Sequence, residues 1–283
     1  MVGIPICKKR AKCRRNWLAI EVRRRAHGII GGVSSSSDSG LAPDTRVFRR
    51  VHKCRGDGID LSAWPATVPA VAQVVRDGLD LTAGITVLMG ENGSGKSTLV
   101  EVLAEACDLN PQGGSAKAQF RTRDSEPAIG QQLWAERGPA YPSWSYFLRA
   151  DTMHGLYTYL EENPGRRAER FHELSHGEGF LEILRTRVNQ AGFYLMDEPD
   201  APLSFISCLS LLAVLYELAE AGAQVVIATH SPIVAAVPGA RIPELGDWGI
   251  RPASWSELEL VAEWREFLHD PQAFIRHLLD DAM

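Results

Sequence analysis

Gly90-Glu91-Asn92-Gly93-Ser94-Gly95-Lys96-Ser97-Thr98 is the stretch that decides how this chain folds. Just before it, Ile85-Thr86-Val87-Leu88-Met89 is a β-branched, apolar run with the composition of a buried strand. Just after it, Leu99, Val102, Leu103 and Ala106 share one face of a helix predicted over residues 97–107. Strand, nine-residue loop and helix together satisfy G-x-x-x-x-G-K-[ST] in its required context. The residue types follow from the ligand such a loop can hold. A triphosphate must be wrapped by backbone N–H groups, and side chains would obstruct that approach. Gly90, Gly93 and Gly95 leave the backbone bare, and the helix directs the positive end of its dipole at the anion. Lys96 can reach the β and γ phosphates, and the Ser97 hydroxyl suits a magnesium ion. Glu91, Asn92, Ser94 and Thr98 complete the cradle. An ordinary glycine-rich turn is the bland alternative, and it does not explain why lysine, hydroxyl and both flanking elements coincide.

A second apolar run, Phe193-Tyr194-Leu195-Met196, ends in Asp197-Glu198. Side chains alternate along a strand, so these two carboxylates point in different directions. That suits two tasks: Asp197 holds the magnesium shell, while Glu198 orients and deprotonates a water. Acids at strand ends also serve as solvated turn residues. Beside a phosphate cradle the chemical reading is the stronger.

Further out, Pro69 opens a short helix carrying Val71, Val74 and Val75, and residues 79–81 form a short strand. Residues 146–149 and 225–228 are strands, and 203–219 is a long apolar helix closed near Gly222. The tail from residue 254 contains two helices, the second opened by Pro271. Residues 110–143 are polar and rich in Gly, Pro and Gln, and are expected as loops and a weak lobe. Alternating strands and helices predict an α/β fold of the P-loop NTPase type. Its mostly parallel sheet is flanked by helices, with ligands at the strands' carboxyl ends. Folding signals begin near Val47. The expected organisation is a basic, unpacked segment over 1–45 and one ATPase domain over 46–283, with a lobe at roughly 108–190 inserted in it. No repeat or heptad run indicates a coiled-coil arm.

The net charge of −5 over 283 residues gives no overall attraction to nucleic acid or membrane. Basic charge is local: Lys8, Lys9, Arg10, Lys12, Arg14, Arg15, Arg23, Arg24 and Arg25 stand against one acid, Glu21, before residue 30. That segment is read as a disordered tail or as codons upstream of the true start, with an organellar transit peptide as the alternative. Five scattered cysteines show neither zinc-ligand spacing nor a disulfide framework, which makes a reducing cytosol the simplest compartment. No apolar run is long enough to span a bilayer.

Three motifs carry a more specific resemblance: Leu174-Ser175-His176-Gly177-Glu178, then Asp197-Glu198-Pro199, then Thr229-His230-Ser231-Pro232. Their order and spacing resemble the signature set of ABC-type P-loop ATPases, on the SMC/RecF side. The narrower likeness is to small bacterial proteins described as AAA family ATPase or ATP-binding protein, through residues 64–81, 87–105, 148–151 and 174–181. It runs from about Ile59 to the C-terminus. The resemblance implies a small helical lobe bearing the signature motif and a head-to-tail homodimer closed on ATP. Ser175 and Gly177 would face the γ-phosphate held by the other subunit, and His230 would contact γ-phosphate as a switch histidine. Departures exist as well. Glu178 stands where transporter ATPases usually carry Gln, and Ser204 where they often carry Asp. No lid-loop glutamine is identifiable, and Asp151 is either its replacement or a solvated acid. Trp64 is read as a buried core residue, with adenine stacking as the alternative.

His172-Glu173-Leu174-Ser175-His176 also satisfies the H-E-x-x-H zinc pattern. That pattern needs a continuous helix, whereas Gly177 and Gly179 follow at once and no third ligand has recognisable spacing. The expected function is therefore Mg-ATP hydrolysis through a nucleotide-sandwich dimer. The alternatives are a nucleotide-dependent switch with little turnover and the motor subunit of a membrane transporter. DNA or a protein effector is a further possible partner by analogy alone.

Overall fold

A computed structural model describes residues 44–54, 58–111, 113–115, 129–141, 144–150, 184, 188 and 190–280. All of these lie in the unit Asp44–Met283. In chain order the elements begin with β1 (Phe48–Lys53), α1 (Pro69–Asp77), β2 (Leu79–Asp80), β3 (Gly84–Leu88) and α2 (Lys96–Ala106). They continue with β4 (Gly114–Ser115), β5 (Leu133–Arg137), β6 (Trp144–Arg149), β7 (Gly192–Asp197) and α3 (Phe205–Glu220). Last come β8 (Gln224–Ala228), β9 (Ile242–Gly246), β10 (Gly249–Ala253), α4 (Glu259–His269) and α5 (Pro271–Asp280).

The central sheet has the order β3-β8-β7-β6-β4, parallel throughout except for β4 at its edge. Its middle strands are buried on both faces; all six residues of β7 and all five of β8 are inaccessible. Such strands are apolar along most of their length, with polar Asp197 ending β7 and polar Gln224 opening β8. Alternation divides their side chains between two cores. Leu88, Phe193, Leu195, Val226 and Ala228 pack with α1, α2 and the β1 layer. Ile85, Val87, Tyr194, Met196, Val225 and Ile227 pack with α3 and the residues opening α4. Each fully buried Val, Leu, Ile or Phe contributes about 1.5–3 kcal/mol relative to exposure.

A second sheet, β2-β1-β5, is antiparallel and is joined to the first by one polar side chain. Gln224, buried at the start of β8, accepts from the backbone N–H groups of Val47 and Phe48, both at 3.0 Å. Its amide donates to the carbonyls of Phe48 (2.8 Å) and Thr82 (3.0 Å). Every polar atom of this buried amide is thus matched on two strands' worth of backbone.

Residues 110–143 differ from the expectation of loops. Their described parts include β4, the 3₁₀ turn Ile129–Gln132 and β5, which pairs along the whole of β1. Only Leu133 and Ala135 of β5 are buried, so its strand pattern is short and easily lost among polar neighbours. Strands β9 and β10 pair as an antiparallel hairpin that the sequence pattern does not announce. Helix α3 starts at Phe205, two residues later than predicted, because Ser204 caps it by accepting from the N–H of Ser207 at 3.3 Å. Trp64 is not a core residue: it is 71% exposed. Among the described residues no helix is long and apolar enough to cross a membrane.

Candidate functional site

Strands β3, β8 and β7 are neighbours and run in the same direction, so the three segments that leave their carboxyl ends must emerge side by side. Those segments carry the cradle of residues 90–98, then Thr229-His230-Ser231-Pro232, then Asp197-Glu198-Pro199. Motifs separated by more than a hundred positions thereby share one crevice, where ligands of open α/β sheets bind.

The cradle's glycines have specific reasons to be glycine. Gly90 has φ +149°, and a Cβ there would lie 2.5 Å from the Leu245 carbonyl oxygen. Gly95 has φ +89°, and its Cβ would lie 2.3 Å from Cγ1 of Val68, the residue before α1. Both positions exclude a side chain by backbone angle and by space. Gly95 also caps α2 without a side chain, so the helix presents its first-turn backbone to the loop. Glu91, Asn92 and Gly93 are exposed, and Ser94 and Thr98 are half-buried.

Lys96 is 4% exposed, folded back under the loop. Its ammonium donates to the carbonyls of Gly90 (2.8 Å) and Glu91 (2.7 Å), with Ser94 Oγ at 3.5 Å. Burial lowers its pKa to about 8, against the opposing pull of Glu198, Asp197 and Glu91. Ser97, one residue on, donates its hydroxyl to Asp197 Oδ1 at 3.1 Å. Asp197 is buried, whereas the side chain of Glu198, just beyond the end of β7, is 43% exposed. Glu198 adopts φ +49°, a left-handed conformation uncommon outside glycine. Its N–H is held by the Ala228 carbonyl of β8 at 2.9 Å. Its carboxylate lies 3.4 Å from His230 Nε2. Burial, and then the nearby Lys96 charge, lower the His230 pKa, which favours the neutral ring.

Two groups stand here that sequence reasoning did not single out. Arg149 ends β6 directly opposite Asp197 in the parallel register, with Nη2 at 3.9 Å from that carboxylate. Its other nitrogen donates to Glu101 of α2 (2.5 Å) and to the Pro111 carbonyl (3.0 Å). Nothing in residues 146–149 marks Arg149; only the pairing of two distant strands does. Asp200 is the other, and it accepts a hydrogen bond from Thr229. Ser175 and Gly177 lie outside the described residues, as do Asp151, Glu178 and His172-Glu173-Leu174-Ser175-His176.

Comparison with known proteins finds relatives of this chain. Residues 79–201 match the family described as ABC transporter. The macrolide export ATP-binding/permease protein MacB of Hahella chejuensis is 32% identical over 204 residues, covering 63% of this chain and 31% of that protein. The pyoverdine export ATP-binding/permease protein PvdT of Pseudomonas aeruginosa is 30% identical over 205 residues, covering 63% and 30%. The chain therefore spans about a third of the length of the curated relatives it matches. The dimeric structure of a bacterial ABC transporter cassette superposes with a TM-score of 0.38 at 19% identity, covering 63% of this chain and 88% of that one. The loop, the acid-ended strand between its parallel neighbours and the match over residues 79–201 lead to one conclusion: this chain has an α/β P-loop ATPase fold that resembles the family described as ABC transporter.

Proposed function

We propose that the domain binds Mg-ATP in the cradle of residues 90–98 and hydrolyses its terminal phosphoanhydride. One observation carries this reading: Lys96, Ser97, Asp197, Glu198 and His230, drawn from three separate segments, meet at the carboxyl ends of adjacent strands. The backbone N–H groups around Gly93 and Gly95 and the start of α2 hold the β and γ phosphates, with Lys96 adding a point charge. Ser97 Oγ and Asp197 Oδ1 are hard oxygen donors 3.1 Å apart, a set that fits magnesium. Bound there, the ion would neutralise phosphate charge. Glu198 accepts the proton of the attacking water, and the neutral His230 ring has one N–H to offer the γ-phosphate.

Phosphate release from Mg-ATP tests the assignment. Glu198→Gln should lower turnover by about 10²- to 10⁴-fold while leaving nucleotide binding intact. An unchanged rate removes Glu198 from the role of base. Lys96→Ala should abolish binding itself.

The sandwich homodimer belongs to the same proposal. Each site would be completed by Ser175 and Gly177 of a second copy, as closed two-fold symmetry allows. Sedimentation of Glu198→Gln with Mg-ATP should give a dimer, and a persistent monomer counts against it. Among relatives of this chain are proteins named as export ATP-binding/permease proteins. That favours, as a second reading, service as the ATP-driven component of an exporter rather than an SMC/RecF-like clamp on DNA or a protein effector. Co-purification with an integral membrane protein supports the exporter; salt-sensitive DNA retention supports the clamp. The buried free thiols of Cys107 and Cys208 fit a reducing, cytoplasmic setting for either.

A further inference from the structure

The loop after β7 and the loop after β8 are joined by a hydroxyl that the scheme above does not use. Thr229 is completely buried. Its Oγ1 donates to Asp200 Oδ1 and accepts from the N–H of Ser231 at 2.9 Å. Its own N–H reaches the Leu88 carbonyl at 3.2 Å, at the end of the strand that enters the phosphate cradle. Three segments of the site thus converge on one threonine. On the other side of Asp200, its carbonyl accepts from Leu203 at 2.8 Å, and the Glu198 carbonyl accepts from Ala201 at 3.0 Å. Asp200 is therefore the point at which the turn carrying Glu198 is pinned to the turn carrying His230.

Glu198 needs such a pin. A left-handed φ of +49° in a non-glycine residue is retained only where the surroundings over-determine it. The backbone bond from Glu198 to Ala228 fixes one side of that residue, but fixes nothing beyond it. Burial raises the Asp200 carboxyl above its ordinary range even though Thr229 donates to it, and the Glu198 charge adds to the rise.

We propose that Asp200 and Thr229 form a latch that holds Glu198 and His230 in their mutual geometry, making Asp200 a positioning residue for hydrolysis. This rests on Glu198 being the base. The latch touches neither water nor phosphate. It sets where two groups that do touch them stand.

Steady-state phosphate release with Mg-ATP, on the full chain, tests the latch. Asp200→Ala and Thr229→Val should each lower kcat by about 10- to 100-fold, as small misplacements of catalytic groups do. KM for ATP should stay within about twofold, because uniform binding is untouched. Asp200→Asn should recover most of the rate, since an amide oxygen still accepts from Thr229, and Thr229→Ser should do the same. The double variant Asp200→Ala/Thr229→Val should be no slower than either single one, because both remove one bond. A parental kcat in Asp200→Ala, an Asp200→Asn as slow as Asp200→Ala, or multiplying single effects overturns the latch. Should Asp200→Ala fail to fold, Thr229→Val against Thr229→Ser decides by the same criteria. Glu198→Gln separates the two proposals: a fast Glu198→Gln removes the base and the latch together, whereas an inert Glu198→Gln beside a fast Asp200→Ala removes the latch alone.

Discussion

Ser97 Oγ donates to Asp197 Oδ1 across 3.1 Å, joining the first turn of α2 to the last residue of β7. The two residues are a hundred positions apart in the chain and belong to different motifs. Their contact fixes the distance between the loop of residues 90–98 and the acids that end β7. Arg149, opposite Asp197 in the register, brings its guanidinium to 3.9 Å from that carboxylate.

Weakening either oxygen should therefore change the metal requirement more than the affinity for the nucleotide. Ser97→Ala and Asp197→Asn are expected to raise the magnesium concentration for half-maximal turnover by at least about 10-fold, roughly the cost of losing one charge-assisted ligand. Magnesium titrations at saturating ATP measure this. Parental magnesium curves in both variants would place the ion elsewhere.

Gly95 lies against Val68, and the contact makes a sharp prediction. Gly95→Ala puts a Cβ 2.3 Å from Val68 Cγ1 at φ +89°. The strain should cost about 1–3 kcal/mol of stability and displace the start of α2. Chemical denaturation and nucleotide titration should both register it. A double variant that also shortens Val68 to Ala should regain stability before it regains binding, because the backbone angle remains wrong.

His230 carries the pH dependence. Burial and the Lys96 charge lower its pKa below the ordinary 6.5, so the folded chain binds that proton more weakly than the unfolded chain. Below about 6.5 the unfolded state takes up the proton first, and folding stability falls with pH through that window. Thermal melts between pH 8 and 5 should show the parent losing more stability than His230→Gln. Parallel curves for the two proteins would contradict the shift.

Gln224→Ala removes four hydrogen bonds at a buried site and leaves the Val47 and Phe48 N–H groups without their partner. At about 1–3 kcal/mol for each of these two unsatisfied buried groups, the loss should be about 2–6 kcal/mol. Urea denaturation of parent and variant gives the value. Turnover of the folded fraction should be nearly unchanged, because Gln224 sits at the opposite end of β8 from His230.

The parts legible in the sequence were those with strong periodic or chemical signals. Residues 85–89, 193–196 and 225–228 are largely apolar runs, broken only by Thr86, and each falls on a buried strand of the central sheet. Pro69 and Pro271 mark helix starts because a proline loses nothing in the first turn. Less was visible where an element is half-exposed or its meaning depends on a partner. Strand β5 buries two residues of five, too few to stand out from its polar surroundings. Trp64 was assigned to the core by its residue type, yet its segment crosses the surface. Arg149 and Asp200 owe their places to a strand register and to Thr229, and neither can be read from a single stretch of chain.

Strand β8 lies between β3 and β7, bonded to both along its whole length. A middle plank of this kind cannot slide without taking its neighbours with it. Displacement at the histidine end would be felt at once by the loop of residues 90–98 and by the acids that end β7. Through that shared backbone ladder, the three loops are tied to one another and not only to their own strands.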